Sequence, residues 1–404
     1  MKSILYLYHT SAVGGGSYCL LNILKTVDRA LFKPIVLLKE DGPLVDEIKQ
    51  LNIPVYFLNK MSTVPYNCST FTPKKIRNAL NIICSLRAYT KLLEELKPDI
   101  VYINTMMLYP YLRHAKKHGI KTIIHIREHW PKGEHHIQRK IALNHIDQYA
   151  DHIVAINQYS ASMLSFSNKP KTVVYDWIDL SCRYEESPLS SIFNEDMSGK
   201  KVYLYMGGMQ PIKGALEVIS GFHEFVKSPD ARLLVMGITN NAYGSGLQGL
   251  IKKILSKTGH PTYTERVRNV INSDKRVRCI PSRYKINHII QQSYCILSYF
   301  TIPHANLALA ESIILGTPSI AAWTEESQEY SMEGNLASLF IINDYEDFGR
   351  HIIAFDGERP ALEAKIKANY GEIERMFDPI ENSMKLNDIY KTCLLYTSPS
   401  PRDR

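Results

Sequence analysis

The sequence of 404 residues has few of the features that mark a secreted, zinc-binding or membrane-spanning protein. Its seven Cys residues include no Cys-x-x-Cys pair, which argues against a disulfide framework and against a zinc ribbon. No uninterrupted apolar run reaches the ~18 residues of a membrane-spanning helix, and the start MKSILYLYHT is too soon broken for a secretion signal. We therefore expect a cytoplasmic protein.

Motifs that would indicate a cofactor or a metal ion are missing as well. The sequence contains neither His-Glu-x-x-His nor a metal-holding Asp-x-Asp. It also has no Gly-x-Gly-x-x-Gly and no Walker loop. We expect no metal and no cofactor.

Composition and charge narrow the choice of partners. Apolar residues make up 45% and charged residues 22%, as in folded proteins, and the length suits two domains. Residues 1–180 hold 23 Lys or Arg and 14 Asp or Glu, a net +9, whereas the remainder holds 25 and 26, a net −1. The basic residues form no basic-aromatic stripe, which argues against nucleic acid. Peripheral contact with an anionic membrane, at its inner face, is the hypothesis that the bias supports.

The last residues, 393–404, differ from the rest of the chain. Their run CLLYTSPSPRD resembles the translation of a sequencing adapter, and its Pro and Ser content predicts disorder. We expect a foreign tail here, so that the native C-terminus would be missing.

Strand-like and helix-like segments alternate along the chain. The predicted strands are SILYLY, PIVLL, VYFL, DIVYIN, KTIIHI, HIVAIN and TVVY, and later KVYLY, ARLLVMG, VRCI, CILSYF and PSIAA. Strands that are apolar on both faces and separated by helices predict parallel sheets, and hence an α/β fold with two Rossmann-like, doubly wound domains. The expected domains are residues 1–179 and 201–371, with a linker at 180–200 and a helix at 372–392 that packs back toward the first domain. Because ligands of such sheets bind beyond the carboxyl ends of the strands, we expect the domains to face each other across a cleft.

A glycine loop follows the first strand and opens a helix. Gly14, Gly15 and Gly16 would let backbone amides approach an anion or a sugar, with the helix N-terminus adding positive potential. A tight turn between strand and helix explains the same glycines equally well.

The second half carries a similar loop, GGMQPIKG, and then an acidic residue on an apolar helix. Lys213 could place its ammonium over a pyrophosphate, although a solvated lysine fits one position alone. Glu311, in NLALAESIILG, needs hydrogen-bonding partners, which the two hydroxyls of a ribose would supply. Pairing of Glu311 with a Lys or Arg is the alternative.

A polar cluster ends the strand in IIHIREHW, residues 123–130. Such a cluster could bind sugar hydroxyls, hold charge and titrate near neutral pH, so we expect it to be catalytic. A metal site is the competing idea, but no Cys/His spacing supports it. The side chains concerned are His125, Arg127, Glu128 and His129, with His135 and His136 close by.

Together these segments resemble retaining family-4 glycosyltransferases of the GT-B fold over nearly all of residues 1–390. The second half carries G-G-x-x-x-x-K-G and then L-x-x-A-E-S-x-x-L-G-T-P-S-I-A, similar to the family's E-A-x-x-x-G-x-P segment. In the first half, VGGGS is similar to the family's glycine loop, and TVVYDWID to its segment ending near Asn-Gly-Ile-Asp.

The resemblance implies roles for individual residues. Lys213 would contact the diphosphate of a nucleotide sugar, and Glu311 would hold its ribose. Gly15 and Gly16 would line the donor phosphate and the acceptor side. Either His125 or Arg127 would take the place of the family's sugar-binding histidine, and the pattern fits both registers. Backbone amides near Ala305, Asn306 and Leu307 would meet the phosphates and the donor sugar, and the base would lie near residues 280–282.

Two positions depart from the family pattern. Gly208 stands where members commonly carry Arg, and Pro303 stands where they carry an earlier Glu. The missing Arg removes a bidentate phosphate contact, of order 1–3 kcal/mol, which Arg283 or Arg127 could replace. The missing Glu removes a ligand of the donor sugar.

The resemblance implies a hexosyltransferase that moves a sugar from a nucleotide diphosphate to an acceptor hydroxyl in polysaccharide or glycolipid biosynthesis of the cell envelope. Its partners would be the nucleotide-sugar donor and a saccharide or lipid-linked acceptor. Two alternatives stay open: a nucleotide-sugar epimerase of the same fold, and a degenerate protein that binds sugar nucleotides without catalysis.

Overall fold

The computed structural model describes residues 1–65, 73–130, 136–180, 189–238, 261–283 and 285–395, without the side chains of residues 74 and 136. The chain divides into two units. The first unit is Met1–Ile178 together with the chain from Phe377 onward, and the second is Asp179–Met376. Residues 181–188 of the predicted linker and residues 396–404 of the suspected tail lie outside the described residues.

The first unit is built on a parallel sheet of seven strands. Their order across the sheet is β3-β2-β1-β4-β5-β6-β7. Every described pairing in it is parallel, which confirms the predicted class of this domain. The strands are β1 (Lys2–Tyr8), β2 (Phe32–Leu38), β3 (Val55–Phe57), β4 (Ile100–Ile103), β5 (Lys121–Ile126), β6 (His152–Ala155) and β7 (Lys171–Val173).

Helices connect these strands, and a 3-10 turn, Met106–Tyr111, follows β4. Parallel neighbours need such crossovers because the chain must return to the same end of the sheet. The helices are α1 (Gly15–Thr26), α2 (Pro43–Gln50), α3 (Pro73–Leu96), α4 (Leu112–Lys117), α5 (His136–Tyr149) and α6 (Gln158–Ser162).

The second unit repeats the design with six parallel strands in the order β10-β9-β8-β11-β12-β13. Its last strand has no counterpart among the sequence predictions, since a run of three residues is too short to show periodicity. The strands are β8 (Lys201–Tyr205), β9 (Ala231–Met236), β10 (Val277–Ile280), β11 (Cys295–Ser298), β12 (Ser319–Ala322) and β13 (Ser338–Phe340). The helices are α7 (Leu189–Phe193), α8 (Ala215–Phe225), α9 (Tyr263–Ser273), α10 (Asn287–Gln292), α11 (Leu307–Ile314), α12 (Glu325–Tyr330), α13 (Tyr345–Ala368) and α14 (Tyr370–Met376), with a 3-10 turn at Pro211–Lys213.

The single helix expected at 372–392 is two helices. α14 ends at Met376, and α15 (Pro379–Leu395) begins after a break of two residues. Pro379 explains the break, because proline has no N–H to continue a helix and suits a first helical position. α15 belongs to the first unit and extends into the suspected tail, where Cys393 is buried.

Aromatic packing and amide hydrogen bonds attach α15 to the first unit. The ring of Tyr390 lies edge-on to the rings of Tyr6, Phe32 and Tyr102, at centroid distances of 6.4, 5.6 and 5.9 Å. The Asn387 side chain accepts from the Asp28 N–H (3.0 Å) and donates to the Thr26 carbonyl (3.1 Å). The last helix therefore completes the core of a domain that begins almost 400 residues earlier.

No helix in the described part of the chain is both long and apolar enough to cross a bilayer.

Replacing Tyr390 with Ala should destabilise the first unit by about 3–5 kcal/mol, because it removes a fully buried aromatic ring. Met384→Ala is the matched control, since Met384 lies on the same helix but is 60% exposed. Urea denaturation followed by circular dichroism measures both changes. Equal midpoints for the two variants would contradict the assigned packing of α15.

Candidate active site

In the second unit, the loops after β8, β9 and β10 meet at the carboxyl ends of these strands. The Gly208 N–H donates to the Met236 carbonyl (3.1 Å), and the Gly237 N–H donates to the Ile280 carbonyl (2.9 Å). A side chain at Gly208 would have its Cβ 3.3 Å from the Gly237 oxygen. Close backbone packing therefore fixes the start of the loop that carries Lys213.

Lys213 lies at the end of this loop, where its backbone is held from two sides. The Tyr205 hydroxyl donates to the Lys213 carbonyl (3.0 Å), and the Thr301 N–H donates to the Ile212 carbonyl (3.0 Å). Tyr205 ends β8 and Thr301 follows β11, so two strands position the lysine. The sequence analysis missed both residues, because a hydroxyl or an amide that supports a backbone carbonyl leaves no motif.

Lys213 and Glu311 lie close enough for their charges to interact, although no hydrogen bond or ion pair joins them or ties either side chain to another described residue. Burial lowers the pKa of the Lys213 ammonium, and the Glu311 charge opposes this. Burial raises the pKa of Glu311 to about 8, and the Lys213 charge opposes this in turn. The Lys213 ammonium and the Glu311 carboxyl group can therefore both form hydrogen bonds with a bound ligand. The predicted alternative, a direct pairing of Glu311 with Lys or Arg, is not what the structure has.

The start of α11 lies in the segment expected to meet phosphates, residues 305–307. Asn306 caps this helix: its side-chain oxygen accepts from the Leu309 N–H (3.1 Å) and from the Ser298 hydroxyl (3.0 Å). Its amide nitrogen is buried and has no partner among the described residues. The first amides of a helix have no intrahelical acceptor. The backbone N–H groups at the start of α11, between Ala305 and Leu307, can therefore donate to an anion.

Part of the segment expected near the nucleotide base, residues 280–282, forms hydrogen bonds within the protein. The Ile280 carbonyl accepts from Gly237, whereas Ser282 and Arg283 are exposed. Arg283 is described without a hydrogen bond or an ion pair from its guanidinium. It is therefore available for the role of the missing arginine, whereas Arg127 is engaged elsewhere.

The backbone at Gly208 accounts for the missing arginine in physical terms. Its φ is +64°, in the left-handed region that costs a residue with a side chain about 1–2 kcal/mol. An arginine could stand here only with strain against the loop after β9.

In the first unit, Gly14, Gly15 and Gly16 form the entry to α1. Ser17 closes this loop, because its hydroxyl accepts from the Gly14 N–H (2.9 Å) and lies 2.7 Å from the Ala12 carbonyl. Gly14 and Gly15 are exposed. At Gly16 a Cβ would lie 2.2 Å from the Tyr8 hydroxyl, so a larger residue would have to displace the Tyr8 ring.

Arg127 is part of a buried network that joins three strand ends. Its Nη1 donates to both carboxylate oxygens of Asp176 (2.7 Å each), and its Nε donates to the Asn104 side-chain oxygen (2.9 Å). Burial alone would lower the pKa of this guanidinium, but the charge and hydrogen bond of Asp176, together with the neighbouring Cys19 and Tyr102, raise it. Arg127 is only 8% exposed. Because its Nε and Nη1 already donate to Asn104 and Asp176, few of its hydrogen-bond donors remain for a substrate.

Glu128 fixes the turn after β4. It accepts from the Met106 N–H (2.9 Å) and from the Thr105 hydroxyl. Burial raises the pKa of its carboxyl, and these donors oppose the rise. The side chain is therefore engaged with the neighbouring loop.

His125 is buried in the core of the first unit. Its Nδ1 lies 2.6 Å from the Tyr102 hydroxyl, and its Nε2 has no partner among the described residues. Burial and the Arg127 charge hold the pKa of this imidazole well below its usual range, so the ring is neutral at pH 7.

The other histidines of the predicted cluster are His129, His135 and His136. His129 stacks on Tyr159, with centroids 4.3 Å apart. His135 and the side chain of His136 lie outside the described residues.

Asp176 and Asn104 are the network members that the sequence analysis missed. Each follows a strand, β7 and β4 respectively, at the edge where the polar cluster was expected. The first acidic residue of YDWID, Asp176, could have indicated this network, because an acidic residue just after a buried strand needs a cationic partner. Within the described residues, no group of three His, Cys, Asp or Glu is arranged to hold a metal ion.

Residues 13–181 match the sequence model of Glycosyltransferase Family 4, which confirms the family resemblance. No curated protein matches the chain. Among solved structures, HepE of Anabaena in complex with UDP and glucose is 16% identical, with a TM-score of 0.73 and coverage of 97% of this chain and 100% of that chain. Sucrose-phosphate synthase of Thermosynechococcus elongatus is 12% identical, with a TM-score of 0.70 and coverage of 98% and 100%.

A protein of Listeria monocytogenes described as a candidate UDP-N-acetylglucosamine 2-epimerase is also similar, at 10% identity, a TM-score of 0.67 and coverage of 99% and 98%. At such identities the likeness concerns the fold, which is GT-B.

The pKa of Glu311 makes stability depend on pH. Because the pKa is raised from 4.5 to about 8, the folded protein keeps a proton that the unfolded chain has released in this window. Stability should therefore fall as pH rises from about 5 to 8. We expect the wild type to lose about 1–4 kcal/mol across this range relative to Glu311→Gln.

Urea denaturation at pH 5, 6, 7 and 8 measures this difference. Titrating groups that do not interact with Glu311 are common to both proteins and cancel, whereas the effect of its neighbour Lys213 is part of the measured difference. The exposed Glu372→Gln is the control and should follow the wild type. Parallel pH profiles for the wild type and Glu311→Gln would contradict the buried, protonated state of Glu311.

Proposed function

Residues 13–181 of this chain belong to Glycosyltransferase Family 4, and on that premise we propose that the protein transfers a hexosyl unit from a nucleotide-diphosphate sugar to an acceptor hydroxyl. The proposal includes retention of the anomeric configuration and independence of a metal ion. The observation that carries it is the Lys213–Glu311 arrangement: an ammonium and a carboxyl group brought near each other, with neither side chain engaged by the protein.

The reaction makes its main demand on the leaving group. As the glycosidic bond breaks, positive charge grows on the anomeric carbon and negative charge on the departing diphosphate. The Lys213 ammonium and the first amides of α11 would stabilise that negative charge, and the backbone that carries them is already fixed, at Lys213 by the Tyr205 hydroxyl and at the start of α11 by the Asn306 cap. Glu311 would accept hydrogen bonds from the two ribose hydroxyls.

A UDP-sugar is the donor we propose to test first. HepE, of the same fold, was solved in complex with UDP and glucose and with UDP-glucose. Base contacts would come from the backbone of Pro281 and Ser282, since the Ile280 carbonyl is engaged by Gly237.

The catalytic roles predicted for His125, Arg127 and Glu128 stay proposals, and their contacts favour indirect action for two of them. Arg127 and Glu128 hold the ends of β4, β5 and β7 in register, so we propose that they are positioning residues. His125 is neutral and its Nε2 is unpaired, so it is the member of the cluster able to accept or donate one hydrogen bond. Gly14 and Gly15, exposed at the start of α1, would serve the donor phosphate or the acceptor through their backbones.

The acceptor that we propose is a saccharide or a lipid-linked saccharide, used in polysaccharide or glycolipid biosynthesis of the cell envelope. The excess of basic residues in residues 1–180 supports contact with an anionic membrane that carries such an acceptor. The epimerase alternative shares the fold, as the Listeria protein illustrates.

Removal of the Lys213 ammonium should weaken donor binding. We expect the Kd for UDP, measured by isothermal titration, to rise about 10- to 100-fold in Lys213→Ala, the loss typical of a charged hydrogen bond. The exposed Lys227→Ala, in the same unit, should bind like the wild type. A thermal-shift screen with UDP, GDP and ADP identifies the base first. Unchanged affinity in Lys213→Ala would discard the site.

Turnover separates the transferase from its alternatives. With UDP-glucose or UDP-N-acetylglucosamine alone, a transferase should give only slow hydrolysis, whereas an epimerase would convert the sugar. Addition of a panel of alkyl glycosides should speed UDP release at least tenfold, and the Lys213→Ala protein should not respond. Epimerised sugar without an acceptor would favour the epimerase, and UDP binding without either reaction would favour a non-catalytic protein.

A further inference from the structure

Helix α3 of the first unit carries apolar side chains on its outward face. Ile76, Leu80 and Ile83 are 52%, 57% and 66% exposed. Their spacing of four and three residues places them in one row, which we call the apolar ridge. The opposite side of the helix packs into the unit through Ile82, with Tyr89 and Leu93 further along. The ridge therefore cannot be the side that the fold of this unit buries.

A second helix presents exposed apolar side chains close to the ridge. The Lys75 ammonium donates to the Gln138 side-chain oxygen (3.1 Å), which joins the first turns of α3 and α5. On α5, Ile137 and Ile141 are 66% and 56% exposed and four residues apart. Five large apolar side chains on two neighbouring helices are more than scattered exposure explains, and such a patch marks an interaction surface.

The charged residues of α3 that precede Glu94 are all basic. The chain from Ile48 to Leu93 contains seven Lys or Arg and no Asp or Glu. Arg77, Arg87 and Lys91 are exposed on α3, and Lys140 is exposed beside Ile141 on α5. A basic border around an apolar row is the arrangement that suits an anionic bilayer: apolar side chains enter the interface while cations meet the headgroups.

The same charges disfavour a second copy of the chain as the occupant. In a twofold contact the ridge would face itself, and each basic border would lie against the other without an acidic residue on this part of α3 to pair with. An anionic lipid surface removes that repulsion and buries the same apolar side chains.

We propose that the apolar ridge and its basic border form a docking surface for anionic membranes. The surface lets the first unit lie on a bilayer, with Ile76, Leu80 and Ile83 among the headgroups. This extends the membrane contact of the proposed function and rests on that function for the reason to dock, which is a lipid-linked acceptor. The docking itself needs neither donor nor acceptor.

Vesicle flotation tests the proposal with the full chain. Vesicles of phosphatidylcholine with about a third phosphatidylglycerol should carry the wild type at low salt, and pure phosphatidylcholine vesicles should carry at least tenfold less. The triple variant Ile76→Ser/Leu80→Ser/Ile83→Ser should lose at least tenfold in partition to the anionic vesicles. Arg77→Gln/Arg87→Gln/Lys91→Gln should bind both vesicle types equally weakly, without dependence on salt.

Ile341→Ser/Ile353→Ser is the matched control, because these residues of the second unit are 61% and 67% exposed. It should float like the wild type. The triple Ser variant should keep the melting temperature and the affinity for UDP, which shows that it folds. Because the vesicles contain no donor and no acceptor, failure of the transferase assay leaves this result intact.

Three outcomes would overturn the proposal. The first is a wild-type protein that floats with neither vesicle type. The second is a triple Ser variant that partitions like the wild type. The third is a wild-type dimer in light scattering that the triple Ser variant converts to a monomer, which would assign the ridge to self-association.

Discussion

The second unit depends on the removal of two opposite charges from water without the formation of an ion pair. Burial raises the pKa of Glu311 and lowers that of Lys213, so each group is less stable in its charged form than in solution. A direct salt bridge would relieve this cost within the protein. Its absence leaves both groups to be stabilised by a molecule that presents an anion to Lys213 and hydroxyl donors to Glu311, and a ribose with its diphosphate presents both.

Parallel strands determine where such groups can be assembled. Side chains and loops that follow β8, β9 and β11 converge at one edge in the second unit, and those that follow β4, β5 and β7 converge in the first. The two edges are used differently. In the first unit the charges of Arg127 and Asp176 neutralise each other and stiffen the edge. In the second unit Lys213 and Glu311 form no ion pair. The Tyr205 hydroxyl and the Thr301 amide hold the backbone at Lys213 and Ile212.

The sequence was sufficient for twelve of the thirteen strands in the described residues, because runs such as SILYLY and KTIIHI are apolar on both faces and long enough to show it. It drew attention to Lys213 and Glu311 because both fall in spaced motifs, and the fold brings the two near each other, whereas their roles stay predictions. It did not predict the break before α15, where one proline decides the outcome. It also assigned Arg127 to the substrate, because its partner Asp176 lies 49 residues later and only the folded sheet brings the two together. Residues that act through a backbone carbonyl, such as Tyr205, have no spacing to detect.

The departures from the family pattern make Lys213 more important rather than less. The left-handed backbone at Gly208 would strain an arginine at that position. The charge of a departing diphosphate would then fall to one ammonium and to the first amides of α11. Amides supply partial charge in fixed directions, whereas an ammonium supplies a full charge that reaches several oxygens. Lys213 is then the only cation on its loop, with Arg283 on the loop after β10 as a second candidate, and Tyr205 and Thr301 hold the backbone at Lys213 and Ile212.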